Sequence, residues 1–313
     1  MTVARFRKPA IAALGAVSMM ALASCAQIPS SDRVTTCEPA TAFQTERTGE
    51  GTGPVVDENA ITSFDLQVAL EDGSELIPQT TVLDMGDGVA TPVNLNYLSS
   101  FPMAAFGGMP VNLSAVGEAL TCAQAGEQVT ATMRMDQLFP EELSASLPEE
   151  LKSQNVTVTA NIGSVYHSAA TGRINPQHNG IPAVVTAPDG TPGVTMPKEP
   201  APTEERVAVT IDGFGAPVKE GQLVTMHLSA FSWTDSTQQL TTWGNAGPAL
   251  QLPAGAGDGM FDITSQLVGK SVGSQVVIVL PASTIAASPD AATWSQLNSS
   301  DAIVFVVDIL GAE

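Results

Sequence analysis

The chain has 313 residues, 43% of them hydrophobic, and its mean hydropathy of +0.15 is sufficient to build buried cores. This length suits about two domains of ordinary size, and the composition excludes an intrinsically disordered chain. Asp and Glu number 32 against 12 Lys and Arg, which gives a formal net charge of −20 and a pI near 4.2. A polyanion would be repelled by this charge, so nucleic acid is not expected as a partner.

The N-terminus has the pattern of a secretory signal. Cations at positions 5, 7 and 8 precede an apolar run at 10–23 that is too short for a stable membrane span. The tetrapeptide Leu-Ala-Ser-Cys at 22–25 resembles the bacterial lipobox, which implies a mature protein that begins at Cys25 with a diacylglyceryl thioether. We therefore expect residues 1–24 to be a lipoprotein signal peptide. The lipid bilayer would hold Cys25 at the extracytoplasmic face of the cell membrane. The alternatives are an ordinary cleaved signal with an incidental cysteine, or a short membrane anchor.

Residues 25–47 are rich in Ser, Thr and Pro and are predicted to be a tether, since low hydrophobicity argues against a packed element. Lipidation of Cys25 would leave Cys37 and Cys122 in an oxidising compartment, where we expect them to pair. Such a disulfide would tie the tether to the body of the protein and add about 4 kcal/mol of stability. Two buried free thiols are the alternative.

The region 48–167 is predicted to be a first module of short strands. Phe64, Leu66, Val68 and Leu70 alternate with other residues, so one face of a strand at 62–70 should be apolar, and a turn follows. The other predicted elements are a short helix at 113–120, strands at 129–133 and 156–160, and small helices that start after Pro140 and Pro148.

The segment 168–204 is rich in proline and glycine and is predicted to be a semi-rigid linker. Its apolar residues leave open whether parts of it pack along the neighbouring modules. The region 205–313 is predicted to be a second module. Its predicted elements are strands at 206–211, 223–233, 275–280 and 302–310, and one short helix at 262–268 with Asp262 as N-cap.

Two parts of the chain share a pattern at an offset of 147 positions. The matched residues are Leu120, Gly126, Gln128 and Val129 in the first copy, and Leu267, Gly273, Gln275 and Val276 in the second. At the same offset 156–162 resembles 303–309, whereas 62–66 resembles 224–228 only if a gap is allowed. We interpret the chain as a duplication of one module.

Several runs in the second module belong together. They are 267–281 followed by 303–310, the run 218–224, Trp243, and Gly247-Pro248. In this combination they resemble the FKBP-type peptidyl-prolyl isomerases. The resemblance implies an α+β fold of two FKBP-like modules, each a curved antiparallel sheet wrapped around one short helix, with a hydrophobic proline pocket between them. The first module is a divergent copy whose membership rests on the duplication.

The resemblance also implies where the proline pocket would lie. In the family this pocket is lined mainly by aromatic side chains, and here most of those positions carry other residues. The candidate lining residues are Phe305, Met260, Ile263, Leu228 and Trp243. Phe305 alone matches outright, and Ala286-Ala287 stand where the family has Tyr-Gly. The alternative is that all five candidates are ordinary core.

Rotation about an X-Pro bond needs no nucleophile, metal or cofactor, because the enzyme only has to stabilise a twisted amide. No cofactor is expected. The three histidines, His167, His178 and His227, lack the spacing of metal ligands, and His227 is expected to be a hydrogen-bonded structural residue.

We therefore expect a monomeric, membrane-anchored isomerase that acts weakly on unfolded or proline-containing secreted polypeptides. The alternative is a non-catalytic FKBP-like chaperone or scaffold lipoprotein that binds unfolded segments or a partner protein. A third hypothesis is a solute-binding lipoprotein, but such proteins usually need two lobes of alternating strands and helices, which this strand-rich pattern does not provide.

Overall fold

The protein is described here from a computed structural model. The described residues are 37–57, 59–81, 92–94, 104–106, 109–111, 113–139, 141–176, 180–244, 249–255, 257 and 260–313. The predicted signal segment, Cys25 and, from the family-like runs, Gly247-Pro248 lie outside these ranges, as does Pro140. Within the described part, Cys37–Glu313 forms one unit that contains two large antiparallel sheets and three two-stranded ones.

The first half of the chain builds one sheet with a few short helices. Its strands are β1 (Gln44–Thr48), β2 (Thr52–Val55), β3 (Ile61–Leu70), β4 (Glu75–Thr81), β5 (Val93–Asn94), β6 (Ala104–Phe106), β7 (Met109–Val111), β8 (Gln124–Ala125), β9 (Gln128–Arg134) and β10 (Asn155–Tyr166). Its helices are α1 (Leu113–Ala119), α2 (Met135–Leu138), α3 (Glu141–Ser146) and α4 (Glu149–Lys152). The sheet runs in the order β1-β9-β10-β3-β4, with β5 beside β3, while β2 pairs with β8 and β6 with β7.

The second half builds a larger sheet. Its strands are β11 (Gly172–Ile174), β12 (Ala183–Thr186), β13 (Pro192–Thr195), β14 (Arg206–Gly213), β15 (Leu223–Ser232), β16 (Gln238–Thr241), β17 (Leu250–Pro253), β18 (Gln275–Leu280) and β19 (Ile303–Ala312). Its helices are the 3₁₀ helix η1 (Met260–Leu267), α5 (Ala282–Ala287) and α6 (Asp290–Thr293). The order is β11-β14-β18-β19-β15-β16, with β17 beside β15, and β12 and β13 form a separate hairpin.

The two sheets have the same order of main strands. Counted along the chain, the first main strand of each sheet lies beside the fourth, and the fifth lies between the fourth and the second. The last two main strands also pair in the same register, because Gln128 faces Asn161 in one sheet and Gln275 faces Asp308 in the other. In both pairs the glutamine Nε2 donates to the partner's Oδ1 at 2.9 Å.

The glycine of each repeated frame turns the chain just before the first strand of this pair. Gly126 (φ 86°) and Gly273 (φ 89°) both have a left-handed backbone conformation, which favours glycine. Their N–H groups donate to the carbonyl oxygens of Ile162 and Ile309, at 3.0 and 2.8 Å. The offset of 147 positions is therefore kept in the backbone hydrogen bonds as well as in the sequence.

Each sheet has its own apolar core on the face that carries its helix. In the first core Val116 of α1 packs with strand residues such as Phe64 and Leu66. In the second core Ile263 and Leu267 of η1 occupy the corresponding place. The strands predicted from alternation and apolar runs all exist, within two residues of their predicted ends except that the strand predicted at 156–160 continues to Tyr166.

The segment 168–204, predicted to be a linker, forms part of the second sheet and its cover. Strand β11 pairs with β14, and the β12-β13 hairpin lies against the face of the sheet that points away from η1. The apolar residues of the segment that pack there are Ile181, Val184, Val194 and Met196. Burial of these side chains explains why a proline-rich stretch is ordered along the sheet.

Two elements differ from their predicted form. Gln44–Thr48, which falls largely within the predicted tether, is an edge strand, because pairing with β9 satisfies the backbone of a polar segment that has little to bury. The helix predicted at 262–268 is the 3₁₀ helix Met260–Leu267, and Asp262 has a left-handed conformation (φ 62°) rather than that of an N-cap.

The two sheets contact each other where the start of β3 and the end of β10 meet the end of β19. Ile61 and Tyr166 of the first sheet pack with Leu310 of the second and with Ala249. The Tyr166 hydroxyl donates to the carboxylate of Glu313. Burial, followed by this contact, raises the pKa of Tyr166 to about 12.

A disulfide joins Cys37 to Cys122, with Cα atoms 5.5 Å apart, as expected for the pair. It fastens the start of the described chain to the turn after α1. Cys122 has a φ of 71°, and Gly269, at the same place in the second sheet, has a φ of 79°. The cysteine thus occupies a left-handed position for which the second copy uses glycine.

Candidate functional site

An open groove lies beside η1 on the second sheet. Its volume is about 610 Å³. Its walls come from the start of η1 and from α5, α6 and the turn between them. The lining residues are Gly257, Phe261, Asp262, Ser283, Thr284, Ala287, Ser288, Pro289 and Asp290.

A left-handed turn at the start of η1 forms one wall of the groove. Met260, Phe261 and Asp262 have φ values of 49°, 60° and 62°, which costs about 1 to 3 kcal/mol for each residue that is not glycine. Two carboxylates hold the turn, because Asp262 Oδ1 accepts the Gly257 N–H at 3.0 Å and Asp290 Oδ2 accepts the Phe261 N–H at 2.7 Å. Strained turns of this kind cluster at functional sites, which makes the groove a candidate.

Phe261 gives the groove its aromatic wall. Its ring centroid lies 6.1 Å from that of Phe305, at an interplanar angle of 39°, which is a favourable tilted arrangement. Phe261 is thereby supported from the core while it borders the groove.

Four of the five predicted lining residues lie together in the core. Leu228, Met260, Ile263 and Phe305 belong to the same buried cluster as Phe261, and each is exposed by 2% or less. None of the four is among the lining residues of the groove.

The fifth candidate, Trp243, lies elsewhere. Its ring stacks on His227 with centroids 4.3 Å apart. His227 and Leu228 are neighbours on β15 and point to opposite faces of the sheet. The structure therefore brings four of the candidates together and separates Trp243 from them.

The sequence prediction missed Phe261, although Phe261 directly follows Met260. A regular helix through this region would not single out Phe261, and a left-handed turn at three residues that are not glycine has no sequence signature. Ala287 is the one groove residue that the resemblance located, at the position where the family has Tyr-Gly. Pro289 and Asp290 gave no signal that could have marked them.

The lining has little reactive chemistry. It contains neither histidine, cysteine, lysine nor arginine, and both of its carboxylates bind backbone N–H groups. The groove can offer an apolar surface from Phe261, Ala287 and Pro289 together with hydroxyl groups. Among the described residues, His, Cys, Asp and Glu nowhere gather in a group of three that could hold a metal ion.

A row of buried polar residues crosses the other face of the same sheet. His227 is hydrogen-bonded, as expected, since its Nδ1 lies 2.8 Å from the Thr242 hydroxyl, and burial lowers its pKa to about 4. Asp308, opposite it on β19, accepts from Gln275 Nε2 at 2.9 Å and from the Ala170 N–H at 2.8 Å. Burial raises the pKa of Asp308 to about 6.

In the described ranges, no helix combines the length and the apolar composition needed to cross a bilayer. Neither a family model nor a curated protein matches the chain.

Solved structures do match. One contains the three FKBP domains of wheat FKBP73, with 10% identity, 87% of this chain and 95% of that chain covered, and a TM-score of 0.33. Another is the N-terminal domain of FKBP42 from Arabidopsis thaliana, with 10% identity, coverage of 45% and 99%, and a TM-score of 0.31. A multi-domain immunophilin from the same plant matches at 9% identity, coverage of 45% and 48%, and a TM-score of 0.32. At such TM-scores a superposition does not define a fold, and the α+β arrangement follows from the strands and helices themselves.

Proposed function

We propose that this protein is a duplicated FKBP-like lipoprotein with weak peptidyl-prolyl isomerase activity, and that the groove beside Phe261 is its proline site. Its substrates would be unfolded or proline-containing secreted polypeptides. The modules would be 48–167 and 205–313, and only the second would carry the groove.

Three features support the duplication. The main strands have one order in both sheets, the last two main strands pair in the same register, and the glutamine of each repeated frame makes the same side-chain hydrogen bond. A fold reached independently would have no reason to keep the strand order together with one sequence offset in the last two features.

The observation that carries the isomerase proposal is the position of the groove. It lies beside η1, and its aromatic wall Phe261 packs in the same cluster as Leu228, Met260, Ile263 and Phe305, four of the residues that the resemblance implies as pocket lining. The barrier to X-Pro rotation is about 18 to 20 kcal/mol. A proline ring held against Phe261 and Ala287 would lose water around its amide, which favours the twisted form. The hydroxyl groups and carboxylates of the lining dilute this effect, so a low rate is expected.

The test is a proline-isomerisation assay on an X-Pro peptide with the full chain purified in detergent. We expect a rate that is small but above background, that is lost in Phe261→Ala and reduced in Phe305→Ala. Phe214→Ala is the matched control, since Phe214 is 76% exposed and lies outside the groove. Background rates for the unmodified chain would end the isomerase proposal.

The non-catalytic alternative, a chaperone or scaffold, is favoured by one observation. Asp262 and Asp290 use their carboxylates to hold the turn, and they leave the groove open and partly polar. Under this alternative the chain would suppress aggregation of an unfolded protein, Phe261→Ala would weaken that effect, and the isomerisation rate would stay at background.

The proposal also includes a lipid anchor at Cys25 on the extracytoplasmic side of the membrane. The lipobox-like tetrapeptide supports it, and the Cys37–Cys122 disulfide suits an oxidising compartment. In cells, Cys25→Ser should move the protein out of the membrane fraction, and the mass of the purified chain should lose the diacylglyceryl group. A membrane-bound Cys25→Ser protein would contradict the anchor.

A further inference from the structure

The groove beside Phe261 carries charge of one sign. Among its described lining residues, Asp262 and Asp290 bring carboxylates, and there is no lysine, arginine or histidine. Asp262 is exposed and Asp290 is half-buried. A peptide that enters the groove from solvent can therefore reach the carboxylate of Asp262 directly, and the net charge of −20 on the whole chain acts in the same direction.

Each carboxylate binds the chain through one oxygen. Asp262 Oδ1 accepts the Gly257 N–H at 3.0 Å. Asp290 Oδ2 accepts the Phe261 N–H at 2.7 Å and the Ser288 hydroxyl at 3.3 Å. The second oxygens, Asp262 Oδ2 and Asp290 Oδ1, accept no hydrogen bond from any described residue, and no described cation forms an ion pair with either carboxylate. Both groups are thus held in place and keep one oxygen for a ligand.

The two remaining oxygens favour a cationic side chain. Lysine and arginine carry several N–H donors and no acceptor, so they match a lining that offers carboxylate oxygens. A glutamate or aspartate side chain in the same place would be repelled. Because backbone N–H groups already hold Asp262 and Asp290, binding of a cation orders few additional side chains of the protein.

Both carboxylates are tied to the aromatic wall of the groove. Asp262 follows Phe261 in the chain, and Asp290 accepts the N–H of Phe261. Consecutive residues of an extended peptide are only about 3.5 Å apart, and lysine and arginine have long flexible stems. A proline ring packed on Phe261 therefore leaves the side chains of its sequence neighbours within reach of the carboxylates.

We propose that the groove selects segments in which a lysine or arginine stands next to the proline, and that Asp262 and Asp290 determine this specificity. The cation binds Asp262 Oδ2 at the exposed side of the groove and Asp290 Oδ1 further in, while the proline ring packs on Phe261. This inference rests on the proposed proline site and adds the sequence context of its substrates.

Binding of fluorescent peptides to the full chain in a nonionic detergent tests the specificity separately from catalysis. Two sets of blocked peptides of equal length carry Lys, Gln or Glu, directly before the proline in one set and directly after it in the other. In at least one set the Lys peptide should bind about fivefold more tightly than the Gln peptide, and the Glu peptide more weakly than both. High ionic strength should bring these ratios closer to one.

The double variant Asp262→Asn/Asp290→Asn removes both charges but keeps side-chain carbonyl oxygens that can accept the same backbone N–H groups, so the turn should persist. Lys and Gln peptides should bind to it equally, with the affinity for the Gln peptide unchanged. The matched control is Asp72→Asn/Asp235→Asn. These two exposed carboxylates also accept backbone N–H groups and lie outside the groove, so the control should keep the full preference for Lys.

The possible outcomes separate this specificity from the proposed function. Equal binding of the Lys, Gln and Glu peptides in both sets, or a preference for Lys that survives in the folded variant Asp262→Asn/Asp290→Asn, would overturn the specificity and leave the proline site standing. A preference for Lys with a background isomerisation rate would support the specificity and end only the isomerase proposal.

Two further results would overturn both proposals together. They are the absence of binding for every peptide, and equal binding of the Lys peptide and the same peptide with alanine in place of proline. If thermal unfolding shows that Asp262→Asn/Asp290→Asn does not fold, the unmodified chain still decides. A ratio between the Lys and Glu peptides that does not change with ionic strength would then contradict the assigned ion pairs.

Discussion

The two sheets share an architecture and differ on the face that points away from their helices. In the first sheet this face carries Thr130, Thr132, Thr157 and Thr159, all at least partly exposed. At the same offset of 147 positions the second sheet carries Val277, Val279, Val304 and Val306, all buried under the segment 168–204. Threonine and valine have nearly the same shape, so exchange of a hydroxyl for a methyl group separates a face that meets water from one that needs a cover.

The polar residues on this face show the same difference in burial between the two sheets. The first sheet places Asp65, Asn161 and Gln128 side by side in partial or full exposure, and the second places His227, Asp308 and Gln275 at the same register positions in full burial. The same arrangement of three polar side chains is therefore solvent-exposed in the first sheet and buried in the second. The first sheet is therefore a built-in control for the second.

The largest expected effect concerns the position where one copy has Cys122 and the other has Gly269. Loss of the disulfide in the double variant Cys37→Ser/Cys122→Ala should lower the free energy of unfolding by about 4 kcal/mol. With Cys37→Ser/Cys122→Gly the loss should be about 1 kcal/mol smaller, because glycine adopts the left-handed conformation without strain. Urea unfolding measures both, and equal stability of the two variants would contradict the comparison with Gly269.

The valine face should be nearly as sensitive. The double variant Val304→Thr/Val306→Thr buries two hydroxyl groups under the covering segment and should cost about 3 kcal/mol. The reciprocal variant, Thr157→Val/Thr159→Val, changes partly exposed positions and should stay within about 0.5 kcal/mol of the unmodified chain. If urea midpoints show equal losses for the two variants, the covered face is not what distinguishes the sheets.

Much of this fold could be predicted because its strands alternate in a simple way. The alternation at 62–70 and the apolar run at 275–280 identify β3 and β18, and the repeated Gly-x-Gln-Val frame marks the start of β9 and of β18. The packing of the segment 168–204 on the second sheet could not be predicted in the same way. Ile181 and Val184 are apolar, but only the buried valines on the opposite surface explain where such residues pack.

Less of the candidate site than of the fold could be predicted from the sequence. The resemblance implied that Met260, Ile263, Leu228 and Phe305 lie close together. The structure does bring these four residues together, but as part of the buried core. The groove residue Phe261 depends on a left-handed turn that two carboxylates hold. Such a turn arises from tertiary contacts, and local propensity does not report them.

A smaller effect is expected from one hydrogen bond in two environments. Gln275→Ala removes one side-chain hydrogen bond from each of the buried residues Asp308 and Thr210 and should cost about 2 kcal/mol. Gln128→Ala breaks the matching bond to Asn161 on the exposed face, where water replaces it, so a loss of about 0.5 kcal/mol or less is expected. Thermal unfolding of the two variants gives the ratio, and a ratio near one would refute the role assigned to burial.

The smallest effect is a pH dependence in which two buried groups oppose each other. The pKa of Asp308 is raised to about 6, so its stabilising contribution is present at low pH and is lost as the pH rises through 6. The pKa of His227 is lowered to about 4, so its contribution is present above 6.5 and is lost as the pH falls towards 4. Between pH 7 and pH 5 the two changes largely cancel.

Removal of either group should reveal the pH dependence of stability that the other group contributes. Asp308→Asn, which copies Asn161 of the first sheet, should be less stable at pH 5 than at pH 7 by about 2 kcal/mol, because protonation of His227 is favoured only in the unfolded chain. His227→Gln should be more stable at pH 5 by about 1 kcal/mol, since Asp308 then takes up its proton in the folded state. Urea midpoints at the two pH values decide between this compensation and a common pH dependence of all three proteins. The second result would mean that the exposed carboxylates govern the behaviour of both sheets alike.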